Sequence, residues 1–224
     1  MDTQAMWTEN HQKASPRTLL FCMVQDFLGE CISLSSKRTL FFIEVAILTA
    51  LALILDIVPF LKFKIWPAGG SISFAMIPVF ILAFRWGLKG GLLSGFLWGI
   101  LQMATGQAYV LNFWQALIEY GLAYTVLGFA GIFAIPLQQA AKNKEKAKVL
   151  RYIVIGVLIG GAARFLMHFL AGVIFFADAT PEGQPAWIYS IVYNSTYMIP
   201  ALLICMIVTY FLFSRQQSVL LRGS

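Results

Sequence analysis

The stretch TLFFIEVAILTALALILDIV, Thr39 to Val58, carries only two charged residues, Glu44 and Asp56. About 20 apolar residues wound as a helix match the ~30 Å hydrocarbon core of a bilayer, so the block reads as a membrane span. Outward from it, five more uncharged runs bounded by basic residues, Pro or Gly lie at about 72–84, 86–103, 113–136, 150–176 and 187–213. The run at 72–84 is short for a full crossing and contains Pro78, which predicts a tilted or kinked piece or one packed against neighbours. The whole chain agrees: 59% of its 224 residues are hydrophobic and 12% are charged. A soluble domain carries roughly 25% charge, so that class is excluded. The expected fold is an all-α integral membrane protein, a six-transmembrane-helix bundle in residues 38–215. Residues 1–37 are an N-terminal extension, read as non-essential, and residues 216–224 are a C-terminal tail.

Six spans put both termini and the 2–3 and 4–5 loops on one side. That side holds thirteen basic residues, against two (Lys62 and Lys64) in the loops 59–71, 104–112 and 177–186, with Arg164 inside a span. The positive-inside rule then makes both termini cytoplasmic. The net charge of +6 is accounted for by this topology, so no nucleic-acid partner is inferred, and the partner common to all the spans is membrane lipid. Cys22, Cys31 and Cys205 show no metal-ligand spacing and form no disulfide framework. No metal or cofactor is expected.

Ionisable residues inside apolar spans are costly unless they face a partner or a water-filled cavity. Glu44 and Asp56 lie near the two ends of the first span, where solvation by headgroups and a functional role both stay open. Glu119 lies just inside the fourth span from an outer loop, a depth suited to a cavity that opens outward. Arg164 and His168 are four residues apart and share a helix face, and Asn194 lies in the sixth span. Tyr109, Trp114, Tyr120 and Tyr124 surround Glu119 in sequence. Phe175, Phe176, Trp187, Tyr189 and Tyr193 cluster at the outer ends of the last two spans. An interfacial aromatic belt would explain these rings alone. Together with a carboxylate they suit a flat, cationic heteroaromatic ligand, through stacking, cation–π attraction and a charged acceptor. The chain has no GxxxxGK[ST] phosphate loop, no HExxH and no GxSxG, so it lacks an ATPase site of its own and the common hydrolase motifs. Ala46 and Ala50, small residues four apart, let another backbone approach the first span, either a partner's or one of the bundle's own.

Three segments carry a resemblance to a family: Gly106-Gln-Ala-Tyr-Val-Leu with Gln115-Ala-Leu-Ile-Glu-Tyr120, His168-Phe-Leu-Ala-Gly-Val-Ile-Phe175, and Tyr189-Ser-Ile-Val-Tyr-Asn194. In order and spacing the chain from about Arg38 to Phe213 resembles the thiamine-specific substrate-specificity (S) components of energy-coupling factor (ECF) transporters. The resemblance implies a high-affinity thiamine-binding subunit that captures thiamine on the outer face of the bacterial cell membrane. It implies partners as well, a transmembrane T component and two cytoplasmic ATPase subunits.

Residue by residue, it implies that Glu119, His168, Tyr189 and Asn194 contact the aminopyrimidine, with Tyr109 and Tyr120 lining the pocket and Gly172 allowing close approach of the ligand. Phe176 stands where the family often has a stacking Trp, and Trp66 matches another family Trp near the site. Ala46 and Ala50 resemble the alanine motif that docks on the T component. The competing readings are an S component for another vitamin, an intramembrane enzyme using Glu119 and His168, and a stand-alone secondary carrier.

Overall fold

The computed structural model describes residues 16–66 and 69–215, with side chains from residue 37 onward. The expected tail 216–224 and residues 1–15 of the expected extension lie outside the described residues, as do the side chains of Cys22 and Cys31. The chain divides into two units, Met1–Phe42 and Ile43–Ser224. Its helices are α1 (Pro16–Ile57), α2 (Met76–Ala104), α3 (Phe113–Lys142), α4 (Lys146–Phe175) and α5 (Ala186–Arg215). Among the described residues five helices are long and apolar enough to cross a membrane, α1 through its part Lys37–Ile57.

One feature departs from an all-helical expectation. Between α1 and α2 the chain forms an antiparallel hairpin, β1 (Lys62–Trp66) and β2 (Gly69–Ser73), with Lys62 opposite Ser73 and Lys64 opposite Ser71. Strand alternation sends Lys62, Lys64 and Trp66 to one face and Phe63 and Ile65 to the other.

The expected spans 72–84 and 86–103 fall in a single element, α2, interrupted at Gly87, where φ is 72° and ψ −162°. Only glycine takes such a backbone without strain. In a straight helix Ala83 and Gly91 would stand about 12 Å apart. A Cβ on Gly91 would lie 2.7 Å from that of Ala83, so the chain doubles back at Gly87. Pro78 is not the breaker. It sits in the first turn of α2, where no intrahelical N–H is lost.

The turn at Gly87 is pinned to α1. Arg85 reaches Glu44 with Nε and Nη2, each at 2.5 Å, and the Trp86 indole N–H donates to the same carboxylate at 2.7 Å. Glu44 is therefore paired within the protein rather than solvated by headgroups. Within the second unit, α1 buries Val45, Thr49, Ala52 and Asp56 along one stripe, and the Thr49 hydroxyl meets that of Ser94 at 2.9 Å. Ala46, Ile47, Ala50, Leu51 and Ile54 lie on its exposed face.

In lipid, helices associate through close packing rather than the hydrophobic effect, which favours small residues at contacts. The contact between α2 and α3 follows this rule: Gly91 meets Gly128, while Gly95 and Gly99 abut the backbone carbonyls of Tyr124 and Tyr120. Phe80, Phe84, Phe213, Leu127 and Ile153 are packed in the core. A hollow adjoins that core, lined in part by its Met76, Trp98, Tyr124 and Ala201.

Candidate functional site

The hollow is a cavity of about 530 Å³, within the range of small-molecule sites. All three loops expected on the outer side contribute to it, through Lys62 and Lys64, through Gln107, Tyr109 and Leu111, and through Ala179. Glu119, His168, Tyr189, Asn194, Tyr109, Tyr120, Gly172 and Phe176 all line it. Eight residues singled out across more than eighty positions of sequence thus meet at one place.

Glu119 and Tyr120 lie in a π-helical turn of α3, Leu117–Leu122. Such wide turns re-aim side chains and recur at functional sites. Gln115, one turn earlier and fully buried, organises this corner. Its amide nitrogen donates to Glu119 and, at 3.0 Å, to the Tyr109 carbonyl, while its oxygen accepts from the Leu111 N–H at 3.0 Å. The Tyr120 hydroxyl accepts from the Tyr109 N–H at 2.8 Å, which ties the same loop down a second time. The other Glu119 oxygen faces His168 Nδ1 at 3.7 Å, beyond hydrogen-bonding distance, and Nδ1 has no other partner.

Beside His168 and also lining the cavity, Arg164 is buried with its guanidinium 4.2 Å from the Tyr124 ring centre and 5.2 Å from that of Trp98. Cation–π attraction at such distances steadies a cation away from water. Its Nε donates to His168 Nε2 at 3.2 Å.

Aromatic rings make the walls. Tyr109 and Phe176 stand with ring centres 6.4 Å apart, and Tyr189, Tyr193 and Tyr197 follow one another along α5 with centres 6.0 and 5.9 Å apart. Asn194 is already engaged by its own helix. Its nitrogen donates to the Ser190 carbonyl at 2.8 Å, and its oxygen accepts from the Tyr197 hydroxyl at 2.5 Å.

Trp66 does not line the cavity: its N–H donates to Thr196 Oγ1 at 2.9 Å and its ring stands 5.3 Å from Tyr193, so it backs a wall residue. Gly172 does line it, and a side chain there would strike Ser190.

Asp56, left open between headgroup solvation and function, is a buried cavity residue. It accepts from the Gln102 amide and pairs with Lys62 Nζ at 3.4 Å. Gln102, Gln115 and Trp98 are further site residues that the sequence reading passed over. The signal was available, since an uncharged amide in an apolar span also needs a buried partner. Among the described residues no cluster of His, Cys, Asp or Glu could hold a metal ion.

Fold and cavity together define a multi-pass membrane protein with a ligand-sized chamber at one end of its bundle. Comparison with known proteins places it further: residues 42–221 match the family model described as "Thiamine transporter protein", so the chain belongs to that family. A Bacillus subtilis protein named thiamine transporter ThiT is 44% identical over 178 residues, covering 80% of this chain and 92% of that one. Its Lacticaseibacillus paracasei namesake is 34% identical over 161 residues, 70% of this chain and 79% of that one. A solved structure of ThiT from Listeria monocytogenes superposes with a TM-score of 0.76 at 32% identity, covering 82% of this chain and 98% of that one. The chain is accordingly a bacterial transport protein of the cell membrane, not an enzyme.

Proposed function

We propose that this chain is the thiamine-binding S component of an ECF-type importer, taking thiamine into the cavity between α3, α4, α5 and the hairpin. The observation that carries the reading is Glu119: a carboxylate with one oxygen held by Gln115 and the other facing the chamber wall at His168, ringed by tyrosines at membrane depth. Thiamine is a flat cation with an aminopyrimidine. Its amine would donate to Glu119, and its rings would stack among Tyr109, Tyr120, Tyr189 and Phe176. His168 and Asn194 complete the polar edge, Gly172 lines the wall beside Ser190, and Trp66 supports Tyr193 from behind.

The binding unit is residues 38–215, with 1–37 an extension and 216–224 a tail. It crosses the membrane six times, the two legs of α2 (76–86 and 88–104) counting separately, with both termini cytoplasmic. The reversal at Gly87 and the excess of basic residues on one side support this topology. Because the chain has no phosphate loop, accumulation requires coupling to a T component and two ATPase subunits, and the exposed Ala46 and Ala50 are the docking face. Calorimetric titration of the purified protein with thiamine tests the reading. Saturable one-to-one binding supports it, and absence of binding rejects it.

A further inference from the structure

Arg164 is buried and lines the chamber beside Trp98, Tyr124 and His168, and its geometry constrains what Glu119 can recognise. A guanidinium only donates hydrogen bonds. His168 Nε2, which receives the Arg164 Nε–H at 3.2 Å, must therefore carry the imidazole's lone pair, which puts the ring proton on Nδ1. Nδ1 is buried, has no hydrogen-bond partner and faces Glu119 Oε1 at 3.7 Å. With Gln115 donating to the other oxygen, Glu119 has an N–H on each side.

We infer that Arg164 is a specificity-determining positioning residue: by fixing the Nδ1–H tautomer of His168 it keeps Glu119 a pure acceptor, so that the site selects ligands presenting an amine donor. Without that donation, His168 is free to take the Nε2–H form. Its Nδ1 lone pair would then face the carboxylate in place of an N–H, and Glu119 would lose one of the two donors that hold it toward a ligand amine. The part concerning ligands rests on the thiamine reading above; the part concerning the tautomer does not.

The test uses the full chain labelled with ¹⁵N-histidine and His11→Gln, which leaves His168 as the sole histidine. In the ligand-free protein, a pyrrole-type Nδ1 and a pyridine-type Nε2 signal are expected. The reverse pattern overturns the assignment, with no need for a variant at Arg164. Arg164→Met should move the pattern toward Nε2–H, while Arg164→Lys, which keeps a donor, should retain it.

Titration with thiamine and with its analogue bearing a carbonyl in place of the exocyclic amine supplies the second readout. Discrimination between the two should fall by about tenfold or more in Arg164→Met, in keeping with loss of one buried hydrogen-bond match, and be restored in Arg164→Lys. Equal losses for both ligands in Arg164→Met would make Arg164 merely structural and overturn the inference. An Nδ1–H pattern in a protein that binds no thiamine would instead reject the thiamine reading and leave the tautomer assignment standing.

Discussion

Gln115 and Glu119, one turn apart on α3, are joined by a side-chain hydrogen bond, and the same amide nitrogen holds the Tyr109 carbonyl at 3.0 Å. One buried residue thus sets both the charged floor of the chamber and the loop that forms its rim. Gln115→Met keeps the volume and removes every one of these bonds. Thiamine binding should weaken by roughly 1–3 kcal/mol, the usual cost of leaving buried polar partners unmatched. Titration of the variant checks this, and an unchanged affinity would separate the rim from the site.

Phe176 and Tyr109 face each other at the mouth with ring centres 6.4 Å apart. Aromatic contacts contribute about 0.5–1.5 kcal/mol beyond burial, so Phe176→Ala should cost about that much in thiamine affinity. Phe176→Trp should hold or improve it. Loss of binding in the tryptophan variant alone would mean the ring is not a stacking wall.

Gly99 and Gly95 let α2 run directly against the Tyr120 and Tyr124 carbonyls. A Cβ there would strike backbone, which has no rotamer to escape into. Gly99→Val should therefore lower stability by roughly 1–3 kcal/mol, typical of overpacking, and displace the π turn that carries Glu119. A melt of the purified protein and its thiamine affinity should fall together. A stable variant with normal affinity would show that the two helices part without cost to the site.

Much of this was legible in the sequence because lipid imposes strict demands. Long apolar blocks, basic residues confined to one set of loops, and a handful of polar residues inside spans pointed to a ligand site around Glu119, Arg164, His168 and Asn194, and the family resemblance added Gly172 and Phe176. What escaped was geometry set by short-range conflicts. The segment 62–73 becomes a hairpin although it reads as a Gly-rich loop, since its strands are only five residues each. Pro78 suggested a tilt or kink within the run 72–84, but at a helix start it is harmless, and the reversal falls at Gly87, two residues past the boundary at Arg85 that separates the runs 72–84 and 86–103. For Glu44 and Asp56, headgroup solvation and function stay open in the sequence because neither has an oppositely charged neighbour within one helical turn. Their partners Arg85, Gln102 and Lys62 are more than forty residues away in the first two cases, a distance no local pattern bridges.

Ala46 and Ala50 lie on the exposed face of α1, away from Val45, Thr49 and Ala52 on its buried stripe. Ala46→Trp or Ala50→Trp should leave thiamine binding by the purified protein nearly intact and abolish uptake by the assembled transporter, since a bulky ring keeps helices apart. Unimpaired uptake would place the docking face elsewhere.

The central claim is that Glu119 receives a cationic aminopyrimidine in the chamber. Its most direct test is calorimetric titration of thiamine into the purified wild type, Glu119→Gln and, as a control on the exposed 177–186 loop, Glu182→Gln. Removing the charge from one partner of a buried contact should weaken binding by roughly 2–5 kcal/mol at Glu119 and leave it unaltered at Glu182. Equal affinities for the wild type and both variants would contradict the account.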